Sequence, residues 1–336
     1  MKTIRKVLDH SDCWGRRPRG KPGCAVTGLV QACSHMAGRE KIAVSGASGL
    51  VGSELVPRLR ESGVEVLRLV RRAPRASDEV GWDPDGGTID IEGLQGITGM
   101  IHLAGENVAS GRWTVAKKAR IRDSRVLGTK LVAGALAKLS PMPRVLVSAS
   151  ATGYYGACGD EALDESAPQG SGFLASVCGA WEAAASDARE AGIRVVHPRI
   201  GVVLARHGGV LAKMKVPFLL GMGGRIADGS QYMSWITLDD LVSALVFALG
   251  HDTLEGPVNF VSPTPVTNAA FTAALGRVLK RPTVFPVPKL VLRLGVGSDM
   301  ANELLIGGSR VIPALLHARG FCWEHTTLEP ALRSLL

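Results

Sequence analysis

The chain has 336 residues, of which 46% are hydrophobic and 21% are charged, and its formal net charge is +9. This size and composition are typical of a globular protein with one large α/β domain and a smaller lobe, and no apolar run reaches the ~18 residues that a membrane-spanning helix needs. Only 5% of the residues are aromatic, and no basic run is interleaved with them. We therefore expect a small anionic molecule as partner, and neither a membrane nor a nucleic acid.

The first 40 residues differ from the rest of the chain. They contain eight Lys or Arg and three Asp or Glu residues and show little hydrophobic periodicity. They also lack the long apolar core of a secretory signal. We predict a basic extension that is disordered, an organellar targeting segment, or sequence upstream of a start at Met36. The expected location is the cytoplasm, or an organelle if residues 1–40 are a transit segment.

The six cysteines are scattered along the chain and form no C-x-x-C pair. A zinc site can be drawn from His10, Cys13, Cys24, Cys33 and His35, but their spacing matches no common zinc-binding pattern. We therefore expect no metal site, and reduced thiols in a cytosolic or organellar protein.

From Lys41 onwards the hydrophobic pattern becomes regular. It predicts strands at residues 41–47, 64–72, 99–106, 143–151 and 193–204, and helices at 49–63, 129–139 and 176–192. After about Ala205 the rhythm changes to loops rich in glycine and proline, with further helices predicted at 239–250 and 268–279. Strands that alternate with helices at this spacing predict an α/β fold with a Rossmann-type doubly wound parallel sheet, followed by a smaller C-terminal α/β substrate lobe.

The sequence GASGLVG at 46–52 lies between the first predicted strand and the first predicted helix. Glycine at positions 46, 49 and 52 permits a tight turn and lets backbone N–H groups approach a pyrophosphate at the helix N-terminus. The spacing is tighter at its start than the usual G-x-G-x-x-G fingerprint, but its context of strand, turn and helix is the required one. We predict a dinucleotide site whose contacts come from Gly46, Ser48, Gly49, Leu50, Val51 and Gly52.

The end of the second strand predicts which dinucleotide binds. An NAD site requires an acidic residue there for the ribose 2′-hydroxyl, whereas this chain has Arg71 and Arg72. Guanidinium groups fork onto phosphate oxygens, so we predict NADP(H) as the cofactor and residues 41–205 as an NADP-binding Rossmann domain. Residues 206–336 then form most of the substrate lobe, with part of this segment returning to the Rossmann sheet.

A third predicted cofactor contact is the sequence HLAGE at 102–106, which ends a central strand. The small residues Ala104 and Gly105 would let the backbone lie close to the adenosine half of the cofactor. Close packing between a strand and a helix explains either residue equally well. We include Leu103 and Glu106 in the predicted cofactor site.

Several motifs occur in the order found in a known group of proteins. They are GASGLVG, HLAGE, RVLGT at 125–129, SASATGYYG at 148–156 and HPRIGVVL, followed by CGAWEAAA, MGGRIADGSQYMSWITLDDL, NFVSPTPVTNAAF and LEPALRSLL. From residue 41 to residue 336 the chain resembles the extended short-chain dehydrogenase/reductase superfamily, and within it the atypical epimerase-family proteins of the YfcH, SDR39U and SulA-like type. This resemblance implies a Rossmann domain, a smaller C-terminal domain of unknown function and an NADP(H) site that also includes Arg125, Ser148 and Arg199. It implies no settled substrate.

The resemblance also identifies what is missing. In the extended dehydrogenases a Ser or Thr, a Tyr and a Lys polarise the substrate oxygen and move its proton. Ser150 falls at the Ser position, but Leu174 and Cys178 fall at the Tyr and Lys positions, and the atypical subfamily departs from the superfamily at the same place. We therefore take Ser150 as a catalytic candidate, with Tyr154 or Tyr155 as a replacement proton donor.

Two functions from different classes stay open. The first is an NADP(H)-dependent oxidoreductase or epimerase-like enzyme on a small carbonyl, alcohol or sugar-nucleotide substrate. The second is a non-catalytic NADP(H)-sensing regulatory binding protein, which the missing Tyr-x-x-x-Lys pair favours. The polar residues expected at the pocket favour the enzyme. Arg112 and Trp113 are expected to cover the pocket, and the resemblance implies that Gln231, Ser234 and Trp235 face the substrate.

Overall fold

The computed structural model describes residues 40–336. The expectations for the basic extension, and the possible zinc set of His10, Cys13, Cys24, Cys33 and His35, fall on residues 1–39 and lie outside the described residues. The domain boundary after residue 205 stays a prediction.

The secondary structure alternates between strands and helices through the first two thirds of the described chain. The strands are β1 (Lys41–Ser45), β2 (Glu65–Val70), β3 (Glu79–Asp83), β4 (Thr88–Ile89), β5 (Gly99–His102), β6 (Val145–Ser148), β7 (Ser150–Ala151), β8 (Gly159–Leu163), β9 (Arg194–Ile200), β10 (Val202–Leu204), β11 (Tyr232–Met233), β12 (Trp235–Thr237), β13 (Gly256–Phe260), β14 (Val266–Thr267) and β15 (Ser309–Val311). The α-helices are α1 (Gly52–Glu61), α2 (Val115–Leu136), α3 (Phe173–Ala183), α4 (Ser186–Glu190), α5 (Gly209–Leu219), α6 (Leu238–Gly250), α7 (Asn268–Leu279), α8 (Lys289–Val296), α9 (Ser298–Met300), α10 (Ala314–Ala318) and α11 (Leu328–Leu335). Short 3₁₀ turns cover Glu92–Leu94 and Thr152–Tyr155, and a π-helix covers Ala301–Ile306.

A large central sheet organises these elements, with the strand order β13-β9-β6-β5-β1-β2-β3-β4, while β7 also pairs with β9. Every pairing in this sheet is parallel except β3 with β4, which is antiparallel. Because the strands are parallel, the carboxyl ends of β1, β5, β6 and β9 meet at one edge of the sheet. The predicted α/β class and Rossmann-type parallel sheet are confirmed.

Helices cover both faces of this sheet because successive side chains of each strand point to opposite faces. In β1, Ile42 and Val44 join one buried cluster with α1 and α6, whereas Ala43 joins a second cluster with α2 and α4. Both clusters bury their strand side chains almost completely, which is why the strands read as continuous apolar runs in the sequence.

A third apolar cluster lies in the C-terminal part of the chain. It is formed by side chains from β10, β12, α5, α7 and α11, with Trp235 and Phe271 fully buried at its centre. The strand β10 pairs with β12 in a separate two-stranded sheet. By contrast, β13 pairs with β9, so this part of the C-terminal segment lies at the end of the central sheet.

Three predicted elements differ from the structure. The helix predicted at 129–139 begins at Val115, because its first half carries charged side chains that hide the periodicity. The strand predicted at 193–204 is divided into β9 and β10 by Gly201, where a Cβ would lie 2.5 Å from the backbone oxygen of Ser234. The helix predicted at 176–192 is divided into α3 and α4. No described helix is both long and apolar enough to cross a membrane.

The buried face of α6 provides a test of how the fold is stabilised. Leu245 is fully buried in the cluster between α6 and the sheet. We expect Leu245→Ala to lower the free energy of unfolding by about 2–5 kcal/mol, because the substitution removes buried methyl groups and leaves a cavity. Chemical denaturation measures the loss. The half-exposed Leu127 on α2 is the matched control, and a loss as large for Leu127→Ala would contradict this view of the core.

Candidate functional site

The glycines of residues 46–52 are required by the geometry of the loop between β1 and α1. Gly46 has φ +69°, and a Cβ there would lie 2.9 Å from the backbone carbon of Leu103. A Cβ at Gly52 would lie 2.3 Å from the backbone oxygen of Gly46. The N–H of Gly49 donates to that same oxygen at 2.9 Å. A side chain at Gly46 would therefore collide with the backbone at the end of β5, and one at Gly52 would collide with the backbone of the loop.

The loop leaves backbone donors available at the N-terminus of α1. Within residues 40–336, no hydrogen bond occupies the N–H groups of Leu50, Val51 and Gly52. Ser48 is exposed at the tip of the loop, and the Leu50 side chain lies beside Gly208 and Gly209. Free N–H groups at a helix N-terminus attract anions, so the loop fits a pyrophosphate group.

The strand end beside the loop is fixed by a buried serine and histidine. The hydroxyl of Ser45 accepts from the N–H groups of Leu103 and Ala104 at 3.1 and 3.3 Å. Its own proton therefore points to Nδ1 of His102, which is 2.7 Å away. Burial lowers the pKa of His102 to about 4, so the ring is neutral and its role in this contact is to accept.

Glu106 and Arg125 hold the chain that follows β5. The Glu106 carboxylate accepts from Lys117 Nζ at 2.5 Å, a contact that lowers its pKa. Arg125 Nη1 donates to the backbone oxygen of Glu106 at 3.0 Å, and its guanidinium lies 4.9 Å from the ring centroid of Trp181. Gly105 packs against the Arg125 side chain, where a Cβ would lie 3.3 Å away. The side chains of Glu106 and Arg125 thus both make contacts within the protein.

The two arginines at the end of β2 differ in their partners. Arg72 forks onto Glu79, with Nη1 and Nη2 donating at 2.8 and 2.7 Å. This hydrogen bond, helped by the N–H of Arg75, lowers the pKa of Glu79 to about 2. Arg71 is exposed, makes no ion pair within residues 40–336, and lies close enough to Glu106 to lower the pKa of that carboxyl. Arg71 is therefore the guanidinium free to meet a phosphate.

A buried ion pair lies at the same edge of the sheet. Arg199, at the end of β9, donates from Nε and Nη2 to the two carboxylate oxygens of Glu182 on α3, both at 2.9 Å. Ser150 Oγ donates to Glu182 Oε1 at 2.7 Å. Burial alone would lower the pKa of Arg199, but the contacts with Glu182 and the Tyr155 hydroxyl outweigh it and raise the pKa. Arg199 thus stays charged and forms its ion pair with Glu182 of the same chain.

The two tyrosines have different environments. Tyr155 is fully buried; its hydroxyl accepts from Arg199 Nη1 at 3.0 Å and donates to Asn259 Oδ1 at 2.7 Å. Burial raises its pKa, so the phenol stays protonated. The hydroxyl of Tyr155 is enclosed and already bonded, and its contact with a substrate stays a prediction. Tyr154 is partly exposed, and its ring lies 3.4 Å from the Arg199 guanidinium carbon.

Leu174 and Cys178, at the positions of the missing pair, lie on α3. Burial raises the pKa of the Cys178 thiol to about 11, and the nearby Glu182 carboxylate adds to this shift. The N–H groups of Phe173 and Leu174 donate to the carboxylate of Glu303, both at 2.7 Å. The first turn of α3 is thus capped by the C-terminal part of the chain, and Cys178 is a protonated thiol in the interior.

Two of the predicted substrate residues, Ser234 and Trp235, are buried. Trp235 is fully buried in the third cluster and its indole N–H donates to the Thr264 oxygen at 2.9 Å. Ser234 is buried and bonded to the backbone of Ser309 and Val311. Both side chains hold β12 in the core, and their roles as substrate contacts stay predictions.

The remaining expected contacts are distributed over several loops. Arg112 Nη2 donates to the Leu294 oxygen at 2.6 Å, and the indole of Trp113 donates to the Val108 oxygen at 2.8 Å. Gln231 Nε2 donates to the Leu305 oxygen at 3.0 Å. Ser148 is fully buried at the end of β6, and its Oγ has no partner among the described residues, so this side chain has no exposed surface for a cofactor.

Glu182 is the functional candidate that sequence reasoning missed. It lies in the motif CGAWEAAA, one helical turn after Cys178, on the helix that carries the substituted positions. The position of this carboxylate, one turn beyond the position of the missing Lys, could have identified Glu182 as a candidate from the sequence. Its partner Arg199, however, is 17 residues away, and only the parallel sheet brings the two together.

Comparisons with known proteins agree with this geometry. Residues 42–261 match the model of the NAD dependent epimerase/dehydratase family, and residues 287–335 match a domain of unknown function, DUF1731. Epimerase family protein Mb2239 of Mycobacterium bovis is 44% identical over 291 residues, which cover 87% of this chain and 96% of the relative. The chloroplastic SDR39U1 homolog of Arabidopsis thaliana is 35% identical over 92% of this chain and 90% of its own length.

A solved structure gives the same result. The crystal structure of human epimerase family protein SDR39U1 (isoform 2) with NADPH has a TM-score of 0.79 and 30% identity, and the match covers 88% of this chain and 98% of the human one. The resemblance inferred from the motifs is confirmed. The chain belongs to the NAD dependent epimerase/dehydratase family, among the epimerase family proteins similar to SDR39U1.

Proposed function

We propose that this chain is an NADP(H)-dependent oxidoreductase or epimerase-like enzyme that acts on a small carbonyl, alcohol or sugar-nucleotide substrate. The observation that carries the proposal is the hydrogen bond from Ser150 to the ion-paired Glu182, at the sheet edge that also carries the glycine loop. A cofactor loop and a proton-handling pair on the same edge are what hydride chemistry requires.

The residues present fit NADP(H). The loop of residues 46–52 offers unbonded N–H groups and has no room for side chains at Gly46 and Gly52. Arg71 offers a guanidinium that pairs with no acid among residues 40–336 and lies near Glu106. A human relative was crystallised with NADPH, which supports the same cofactor here. The pyrophosphate would lie on the loop and the 2′-phosphate on Arg71.

The direction of the hydrogen bonds assigns a role to each polar side chain. Ser150 is only 2% exposed and its oxygen also meets the Cys178 thiol. Because its proton points to Glu182, one lone pair is left to accept a proton from a substrate hydroxyl that reaches the end of β7. As that proton arrives, the Ser150 proton passes to Glu182 Oε1; the reverse movement delivers a proton to a substrate oxygen. Bound NADP(H) supplies or accepts the hydride. Arg199 holds Glu182 in place, and Tyr154, stacked on Arg199, borders the same network.

This arrangement favours an enzyme over a non-catalytic NADP(H)-sensing protein. A pure binder needs the glycine loop and Arg71 but has no use for a serine hydroxyl aimed at an ion-paired carboxylate. Burying Glu182 is costly unless it is paired, and the chain provides Arg199 for that purpose. The Ser150–Glu182 pair therefore takes the place that the missing Tyr-x-x-x-Lys would occupy.

The cofactor assignment is tested at the end of β2. We expect Arg71→Ala to weaken NADPH binding roughly 10–100-fold while leaving NADH binding unchanged, since a hydrogen bond to a charged group contributes about 1.5–3 kcal/mol. Nicotinamide fluorescence titrations with both nucleotides measure this selectivity. Glu79→Gln is the control: it loosens Arg72 from its partner and should not reduce NADPH affinity. Equal losses for NADPH and NADH in Arg71→Ala would disprove the role of this residue.

The proton-handling assignment is tested by Ser150→Ala. This change keeps the Glu182–Arg199 ion pair and removes only the hydroxyl between Glu182 and the substrate. We expect turnover to fall about 10²–10⁴-fold with unchanged NADPH affinity, measured as NADPH oxidation with a panel of aldehydes, ketones and quinones. Glu182→Gln should show the same fall with an additional loss of melting temperature, because Arg199 is left buried and poorly paired.

Glu165→Gln is the matched control for that experiment. Glu165 is a second carboxylate of the same region; it accepts from the N–H of Asn259 at 3.0 Å and has no contact with Ser150. Its substitution should lower the melting temperature but change turnover by less than about threefold, since no proton-handling group is removed. Wild-type turnover by Ser150→Ala would refute the assignment of Ser150.

A further inference from the structure

Exposed apolar side chains are concentrated on one part of the described surface. Of the twelve large hydrophobic side chains exposed among residues 40–336, nine lie in the segments 216–222 and 284–294. Phe285 is 75% exposed, and Leu220 and Leu290 are each 66% exposed. We call the surface formed by these two segments the apolar face. Contiguous exposed apolar surface on a protein of this size usually marks a contact with a partner or a membrane.

The two segments are neighbours in space. The N–H of Val287 donates to the Arg225 oxygen at 2.8 Å, and the N–H of Ala227 donates to the Val287 oxygen at 3.0 Å. Arg281 Nε donates to the Leu219 oxygen at 3.0 Å. The apolar face is therefore one surface, built from the end of α5, the loop before β11 and the segment that leads into α8.

The helix α8 does not pack its apolar side against the protein. It has no buried residue, although its sequence KLVLRLGV is mostly apolar. Leu290 and Leu294, four residues apart, lie on the same side of the helix and are both 66% exposed. Most helices in proteins are stabilised by burying such a side, and residues 40–336 do not supply that burial for α8.

Basic side chains predominate around the apolar face, and the acidic residues that adjoin its segments are Asp228 and Asp299. Residues 206–227 contain four Lys or Arg and no Asp or Glu, and residues 256–298 contain five and none. Within residues 40–336, no ion pair neutralises Lys213, Lys215, Lys280, Arg281 or Arg293, whereas Arg277 is paired with Glu329. Lys289 lies near the carboxylate of Asp228, whose pKa is lowered by hydrogen bonds from Ser230 and, to a smaller degree, by Lys289.

We propose that the apolar face docks this protein onto the surface of an anionic lipid bilayer. An amphipathic helix with exposed leucines and flanking Lys and Arg lies in the headgroup region of such a membrane, held by apolar burial and by attraction to acidic lipids. No described helix can span the bilayer, so the contact is peripheral. It departs from the expectation, made from the sequence, that the protein has no membrane partner.

The same charges argue against a second copy of the chain as the occupant. In a symmetric dimer the same surface patch of both subunits would meet. Each copy would then bring nine Lys or Arg residues from residues 206–227 and 256–298 against the adjoining Asp228 and Asp299, and an excess of like charges across an interface is unfavourable. Acidic phospholipids supply both the apolar medium and the missing negative charge.

The test is co-sedimentation of the full chain with lipid vesicles. One vesicle type is pure phosphatidylcholine, and the other contains about one-quarter phosphatidylglycerol. We expect binding to the anionic vesicles only, and much weaker binding when NaCl is raised from about 0.1 to about 1 M, where charges are screened within ~3 Å. Lys280→Gln with Arg281→Gln should weaken binding about 25-fold, at about fivefold for each basic residue. Phe285→Ser with Leu290→Ser should weaken it at least about tenfold.

Matched variants elsewhere on the surface are the controls. Met142→Ser changes a 48% exposed apolar residue in the loop before β6, and Lys130→Gln with Lys138→Gln removes two exposed lysines from the α2 region. Neither should change vesicle binding, and melting temperatures verify that every variant folds. Absence of binding to anionic vesicles, or equal weakening in the controls, would overturn the proposal. A dimer in analytical ultracentrifugation that Phe285→Ser with Leu290→Ser dissociates would also overturn it, since a second copy would then cover the face.

This test is independent of the proposed activity. Vesicle binding requires neither a bound nucleotide nor turnover, and the substituted residues lie outside the glycine loop and the Ser150–Glu182 pair. NADPH titration of the same variants should give wild-type affinity, so a failed membrane contact and a failed cofactor site are distinguishable.

Discussion

The buried ion pair between Arg199 and Glu182 is the interaction on which the functional edge of this protein depends. Charges removed from water are unfavourable unless they are paired and hydrogen-bonded, and both groups here are bonded on several sides. The pair joins the end of β9 to α3, and through Ser150 and Tyr155 it also fixes β7 and the 3₁₀ turn that follows. Breaking it would leave a charge inside the protein and release the strand ends that form the site.

This dependence explains how the chain accommodates the loss of the Tyr-x-x-x-Lys pair. Leu174 and Cys178 occupy the positions of the Tyr and the Lys on α3, so this side of the helix carries no phenol or ammonium group. The acidic residue one turn later stays, paired with an arginine from the neighbouring strand. The helix itself is held from outside by Glu303, which caps its first turn. The position of α3 therefore depends on the segment that resembles DUF1731 as well as on the sheet.

The protein presents two kinds of surface that follow from separate physical causes. The cofactor edge is polar because parallel strands bring their carboxyl ends, the glycine loop and the ion pair together. The apolar face belongs to the C-terminal part of the chain, where α8 leaves its apolar residues in contact with solvent. Arg112, which bonds to the Leu294 oxygen, and Lys213, which bonds to the Ala109 oxygen, connect the loop after β5 to this C-terminal part.

The sequence by itself determined the features that depend on neighbours along the chain. Predicted strands that alternate with predicted helices specified the parallel sheet. The three glycines between a strand and a helix specified the loop, because a Cβ at Gly46 or Gly52 would collide with nearby backbone. Only the tertiary structure decided which polar residues act together. Glu182 meets Arg199 across a strand and a helix, Arg72 is occupied by Glu79 while Arg71 is not, and Trp235 is buried in the core. These outcomes depend on packing between distant segments, which the local pattern of side chains does not encode.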